Sequence, residues 1–254
     1  MPIVSRFADA LMFGGQRLMD IHLGERETRQ PSFISVPPVD VDVFRPSPAR
    51  RATTRRELGI PETAPVVGSV ANLNPQKGLA YFVRAAALIH ERQPRCHFIL
   101  AGATYATHRA YAASVHAGLA ATSIPPGQIH LLGERSDLET VYPALDVKVI
   151  SSVPRSEGTT TTALEAMACG VPVVATDVGA VGEVVEHMRT GLLVAPSDAC
   201  ALARAVLELL TDESRRTGLS HTGRLRTVSR FSLASAAETH VEAIRAATKH
   251  HGRR

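Results

Sequence analysis

The chain has 254 residues, of which 44% are hydrophobic and 20% charged, the balance of a folded globular protein and not of a disordered one. Its 28 Lys and Arg against 24 Asp and Glu leave a net charge of +4, and with aromatics at 4% and no Trp it lacks the basic, aromatic-interleaved character of a nucleic-acid binder. No run approaches the roughly 18 apolar residues a membrane span needs, and Arg6, Asp9, Arg17 and Asp20 interrupt the amino-terminal stretch where a signal peptide would lie. Cys96, Cys169 and Cys200 fit neither a disulfide framework nor a zinc spacing, so they are expected to be reduced, buried thiols of a cytoplasmic protein.

In chain order, the first twenty-odd residues predict one helix. Residues 30–65, which carry Pro31, Pro37, Pro38, Pro46, Pro48 and Pro61, predict an ordered linker. From Pro65 onward, short apolar runs alternate with amphipathic segments, the pattern of βα units around a parallel sheet. Strands are predicted at 66–70, 97–101, 129–132, 147–151, 171–175 and 192–194, several of them unbroken Val/Ile/Leu runs of the kind helices cover on both faces. Leu79, Phe82, Val83, Ala86 and Ile89 repeat at helical spacing, as do Leu202, Ala205, Val206 and Leu209. The last forty residues read as helices with breaks near Gly218 and Ser229, ending in a basic tail. The expected fold is therefore α/β with a doubly wound, Rossmann-like parallel sheet over residues 65–230, preceded by 1–64 and followed by a terminal helix and tail at 231–254.

The segment 156–175 is the richest in chemistry. A Gly- and Thr-rich loop that follows a strand and opens a helix offers free backbone N–H groups and the positive end of the helix dipole, the makings of a phosphate site. Glu157 on that loop and Glu165 on the helix can face one pocket, where carboxylates suit pairs of sugar or ribose hydroxyls. Each has a plainer reading. Thr162 to Glu165 also matches a capping box, and Glu157 can be a solvated loop carboxylate. The chain uses lysine only at 77, 148 and 249. Lys77, in a Pro-Gln-Lys-Gly loop just beyond the first strand, is placed to stabilise charge on a departing phosphate, the alternative being a surface lysine. The eleven histidines show no metal-ligand spacing, and the first strand is not followed by the Gly pattern of a dinucleotide enzyme.

The string SEGTTTTALEAMACGVPVVATDVGAVGEVV at 156–185, with VPPVDVDVF at 36–44, VANLNPQKG at 70–78 and TGLLVAPSD at 190–198, resembles the retaining GT-B glycosyltransferases of family 4 (group 1), over roughly residues 36–231. The resemblance implies transfer of a sugar from a nucleotide-sugar donor to an acceptor hydroxyl, with anomeric configuration retained and no metal or other cofactor. It gives Glu157 the donor sugar, Glu165 the ribose hydroxyls, the N–H groups of Gly158, Thr159 and Thr160 the diphosphate, Lys77 the leaving group, and the loop at Leu132, Gly133 and Glu134 the base. It also implies that residues 1–64 are the remnant of a first domain with its interdomain linker, so that this chain is the donor-binding half, working with a separate amino-terminal acceptor domain, or else a truncated or non-catalytic binding module. The acceptor (sugar, lipid or small molecule), the donor base and the oligomeric state are left open, as is a peripheral seat on the inner face of a membrane. Three features depart from the family. Thr159 to Thr162 stand where many members carry an aromatic residue after the glycine, which makes the pocket more polar. Asn72 stands where an arginine is usual, and Lys148 replaces an apolar strand residue, which predicts an edge or strand-end position for it.

Overall fold

The computed structural model describes residues 8–24, 30–154 and 160–251. Eight strands and ten helices follow in the order β1 (Leu11–Phe13), α1 (Gln16–Leu23), β2 (Ser32–Ile34), α2 (Pro48–Glu57), β3 (Val66–Val70), α3 (Leu79–Arg92), β4 (His97–Ala101), α4 (Arg109–Ala120), β5 (Ile129–Gly133), α5 (Leu138–Val141), β6 (Val147–Ile150), α6 (Thr161–Ala168), β7 (Val173–Thr176), α7 (Val181–Val184), β8 (Gly191–Val194), α8 (Ala199–Thr211), α9 (Glu213–Arg230) and α10 (Leu233–His251). Strands β3 to β8 form one parallel sheet in the order β5-β4-β3-β6-β7-β8. This is the expected doubly wound sheet. The order reverses between β3 and β6, so the loops leaving their carboxyl ends diverge and open a crevice.

Every residue of β3, β4, β6 and β7 is buried, because helices cover both faces. Alternation along each strand divides the core into two clusters. Val67, Phe98, Val147 and Val149 pack with Leu79, Phe82 and Ile89 of α3, Val115 of α4 and Leu202 and Leu209 of α8. Val66, Val70, Ile99 and Ile150 pack with Val141, Leu164, Met167 and Val181 on the other face.

Four expectations need correction. The amino-terminal segment is not one helix: β1 pairs in parallel with β2, and helix starts only at Gln16. The Pro-rich stretch contains the ten-residue helix α2, nucleated by Ser47, whose Oγ accepts from Arg50 N, and by Pro48 at the first helical position. α9 runs through Gly218 without a break and ends only at Phe231, whose ring packs in the core. Cys96 and Cys169 are buried, with burial pushing both thiols up to about 12, but Cys200 is exposed in the first turn of α8. Among the described residues, no helix is long and apolar enough to cross a membrane.

Candidate functional site

The crevice at the reversal point holds a cavity of about 290 Å³. Its wall takes Asn72 and Lys77 from the loop after β3, Gly102 and Ala103 from the loop after β4, Glu134 and Arg135 from the loop after β5, Lys148, Ile150 and Ser151 from β6 and its exit, and Thr161 and Thr162 from the first turn of α6.

Backbone bonds fasten these loops to one another. Ala71 N donates to Ala101 O, Leu73 N to Ala103 O, and Gly102 N to Gly133 O, which joins the exits of β3, β4 and β5. Ser151 Oγ donates to Lys77 O at 2.9 Å and Val153 N to Gln76 O at 3.0 Å, joining β3 to β6, while Thr176 Oγ1 donates to Ser152 O at 2.6 Å and brings in β7. Two glycines make this closeness possible. Gly78 has φ 58°, and a Cβ there would lie 2.1 Å from Ser151 O; Gly102 has φ 156°, and a Cβ there would lie 1.9 Å from Ala71 O.

Lys77 ends a single 3₁₀ turn, Pro75–Lys77, started by Asn74, whose Oδ1 accepts from Lys77 N at 3.2 Å. The turn fixes the backbone that carries the ammonium to the rim of the cavity. α6 points its amino end at the same space, so the partial positive charge there faces the cavity with Lys77. Thr160 is the buried residue preceding α6. Asn72 lies on the wall. Gly133 adopts φ 64° and passes its carbonyl to Gly102, leaving the neighbouring Glu134 and Arg135 on the wall. Arg135 is engaged in a two-pronged pair with Asp137 at 2.6 and 2.7 Å. Glu157, Gly158 and Thr159 lie outside the described residues.

Glu165 is not a cap. α6 begins at Thr161, which places Glu165 past its first turn, and its Oε2 accepts the Tyr142 hydroxyl at 2.6 Å. Burial raises the Glu165 carboxyl above its ordinary value, opposed by the Tyr142 hydrogen bond and by the charge of Lys148. Tyr142 itself is buried and its phenol is raised well above the usual range, mainly by desolvation and then by the adjacent carboxylate. The phenol therefore stays a donor and fixes the carboxylate in one orientation. Nothing in the sequence marked Tyr142, since its partner lies 23 residues away across β6.

Lys148 is the clearest surprise. It occupies neither an edge nor a strand end: β6 is central, and Lys148 is completely buried, its Nζ donating to Val149 O at 3.0 Å and Val70 O at 3.3 Å. Gly179 and Ala180 do not join this cavity. They line a neighbouring one of about 460 Å³ with Arg17, Leu18 and Ile21 of α1. Glu183 turns to α1, accepting from Gln16 N at 2.6 Å and Arg17 N at 2.9 Å, so a carboxylate from α7 caps the amino end of the earlier helix.

Comparison with known proteins supplies the context. Residues 64–212 match the family model described as glycosyl transferases group 1. The chain is 32% identical over 205 residues to the lipopolysaccharide core biosynthesis mannosyltransferase LpsB of Rhizobium meliloti, covering 80% of this chain and 57% of that protein. It is 34% identical over 217 residues to a D-inositol 3-phosphate glycosyltransferase of Thermobispora bispora, covering 82% and 50%. The chain thus spans about half the length of the curated relatives it matches. Among solved structures, Anabaena Alr3699/HepE in complex with UDP superposes with a TM-score of 0.86 at 24% identity, over 96% of this chain and 65% of that one. The six-stranded unit matches the carboxy-terminal domain of GT-B glycosyltransferases.

Proposed function

Because the chain belongs to the group 1 glycosyl transferases, we propose that its crevice binds the nucleoside diphosphate of a sugar donor, and that the protein transfers the sugar to an acceptor hydroxyl with the anomeric configuration retained, as a family 4 enzyme. The observation that carries this reading is the convergence of Lys77, Asn72 and the amino end of α6 on one cavity at the carboxyl ends of β3 and β6. Likeness to a UDP complex and to a mannosyltransferase agrees with it.

In this reading the diphosphate lies against α6, where the N–H groups of Gly158, Thr159 and Thr160 meet it. Lys77 balances the charge that grows on the leaving diphosphate as the glycosidic bond breaks, and Asn72 adds an amide donor without charge. The protein's own cation and helix dipole carry this task, with no metal assigned. Glu165 takes the ribose hydroxyls. One of its oxygens is held by Tyr142, and the carboxylate has lone pairs left for a vicinal diol. Glu157 takes the donor sugar, and the Gly133 loop lies beside the base. The acceptor, whether sugar, lipid or small molecule, is met by a separate amino-terminal domain, at a cytoplasmic location that allows peripheral contact with the inner membrane face. A second reading, a donor-binding module without transfer, draws on Asn72, an amide that brings no charge to the leaving diphosphate.

Calorimetric titration of the chain with UDP, GDP and ADP, each beside its nucleoside, tests the core of this proposal. Saturable binding of one base that depends on the diphosphate is expected; a folded chain that binds none of them overturns it. Supplying an amino-terminal acceptor domain and following the product anomer by NMR then separates transfer with retention from binding alone.

A further inference from the structure

Lys148 is a cation buried in a central strand of the sheet. It sits on the face of β6 that Ile150 shares, opposite Gly68 of β3 and Val173 of β7 in register, and its Nζ extends along the strand to the carbonyl of Val70. Removing an ammonium from water is costly even when it finds partners, and an apolar side chain of similar length would fill the same space at lower cost. Its head reaches the carboxyl edge of the sheet, onto the carbonyls of Val70 and Val149, and its side chain forms part of the wall of the cavity that Lys77 rims. Parallel strands end there in carbonyl oxygens, whose negative ends oppose an anion. An ammonium drawn across two of them reverses the sign of the floor, and its field is weakly screened in so dry a place. The loop that follows β3 brings Lys77 to the rim of this cavity and the neutral Asn72 to its wall.

We propose that Lys148 is a second diphosphate-binding cation of this site, acting from the floor of the crevice while Lys77 acts from its rim. The inference rests on the nucleotide-donor reading above and adds the residue that supplies the charge Asn72 does not bring. The nearest competing role is electrostatic support of Glu165, on whose carboxyl the Lys148 charge also bears. The two roles predict different ligand dependence, since Glu165 is assigned to the ribose and Lys148 to the phosphates.

Lys148→Met, which keeps the chain length and removes the charge, tests it by calorimetry on the full chain with the nucleoside diphosphate that the unchanged protein binds and with the matching nucleoside. Affinity for the diphosphate is expected to fall about ten- to hundredfold while nucleoside affinity stays within about twofold, and its salt dependence to become shallower. Melting should not suffer, because an apolar side chain suits the site. Unchanged diphosphate affinity in folded Lys148→Met overturns the proposal alone, and an equal loss for nucleoside and diphosphate overturns it in favour of the Glu165 role. If the unchanged protein binds no nucleoside diphosphate, the donor reading fails first and this proposal with it. Should Lys148→Met not fold, Lys148→Arg serves. Retained charge with retained diphosphate binding is expected, and loss of nucleoside and diphosphate binding together counts against the proposal.

Discussion

The same sheet holds charge at both of its ends, and the two ends differ in what the charge faces. At the amino end, Asp146 accepts from Arg51 at 2.6 Å, from Arg55 at 2.8 Å and from Val66 N at 2.8 Å. The buried Arg55 spends its remaining donors on the carbonyls of Ala144, Glu62 and Ala64. Desolvation lowers Arg55, and the Asp146 carboxylate holds it charged. His97 and His130 stack beside this group, their ring nitrogens 3.0 Å apart. At the carboxyl end, Lys77, Lys148 and Glu134 instead border a cavity. Charge paired with opposite charge at the amino end orders the chain; at the carboxyl end Lys148 is also bonded to protein, to the carbonyls of Val70 and Val149, but borders a cavity and is arranged toward whatever enters it.

Breaking the closed end should produce the largest effect. Asp146→Ala strands Arg55 without its counter-charge and is expected to cost about 3–5 kcal/mol, read by chemical denaturation, while the fraction that remains folded keeps its nucleotide affinity. Lys77→Ala should do the reverse, lowering diphosphate affinity about tenfold or more with nucleoside affinity and unfolding midpoint preserved; equal loss for both ligands would remove its phosphate role. Tyr142→Phe touches both properties. Losing a hydrogen bond to a carboxylate should cost about 1–2 kcal/mol of stability and weaken nucleoside and diphosphate alike, because the group it orients is assigned to the ribose. The smallest effect concerns pH. Burial, followed by the charge of its partner His97, lowers His130 from 6.5 to about 4, and His97 moves the same way. The unfolded chain therefore takes up protons that the folded chain refuses between those values, so stability is full above about pH 6.5 and falls as pH drops toward 4. His130→Gln should flatten that fall in melting temperature without altering ligand affinity at pH 7.5.

The six strands were legible because continuous Val, Ile and Leu runs mean burial on both faces, and so was the helix that the Thr run opens, α6, while Glu157, Gly158 and Thr159 lie outside the described residues. The helix α2 was not, since RRATTRRE has no apolar stripe. Its hold on the sheet is ionic, through Arg51 and Arg55 one turn apart, and the helix start at Ser47 and Pro48 with that i,i+4 pair was the signal available. Gly218 misled because glycine inside a helix costs only about 1 kcal/mol, which the packing of α9 on α6 offsets. Lys148 misled because strand position was inferred from polarity, and polarity here answers to the cavity and not to water. Glu165 matched a capping box by spacing alone, and only the true start of α6 two residues earlier shows that its partner is Tyr142.

The carboxylate of Glu183 on the first amides of α1 also marks a seam. Residues 15–17 meet the parallel-sheet unit through one side chain, with Gly15 so near that a Cβ would lie 2.7 Å from Glu183 Oε2, and through Arg17, which donates to Gly179 O at 2.8 Å. For anyone splicing a different amino-terminal unit onto this scaffold, that junction is a socket with a simple specification: a residue without a side chain, then two backbone amides, the second of them carried by a cation. A graft that honours those three positions can keep its own sequence on either side.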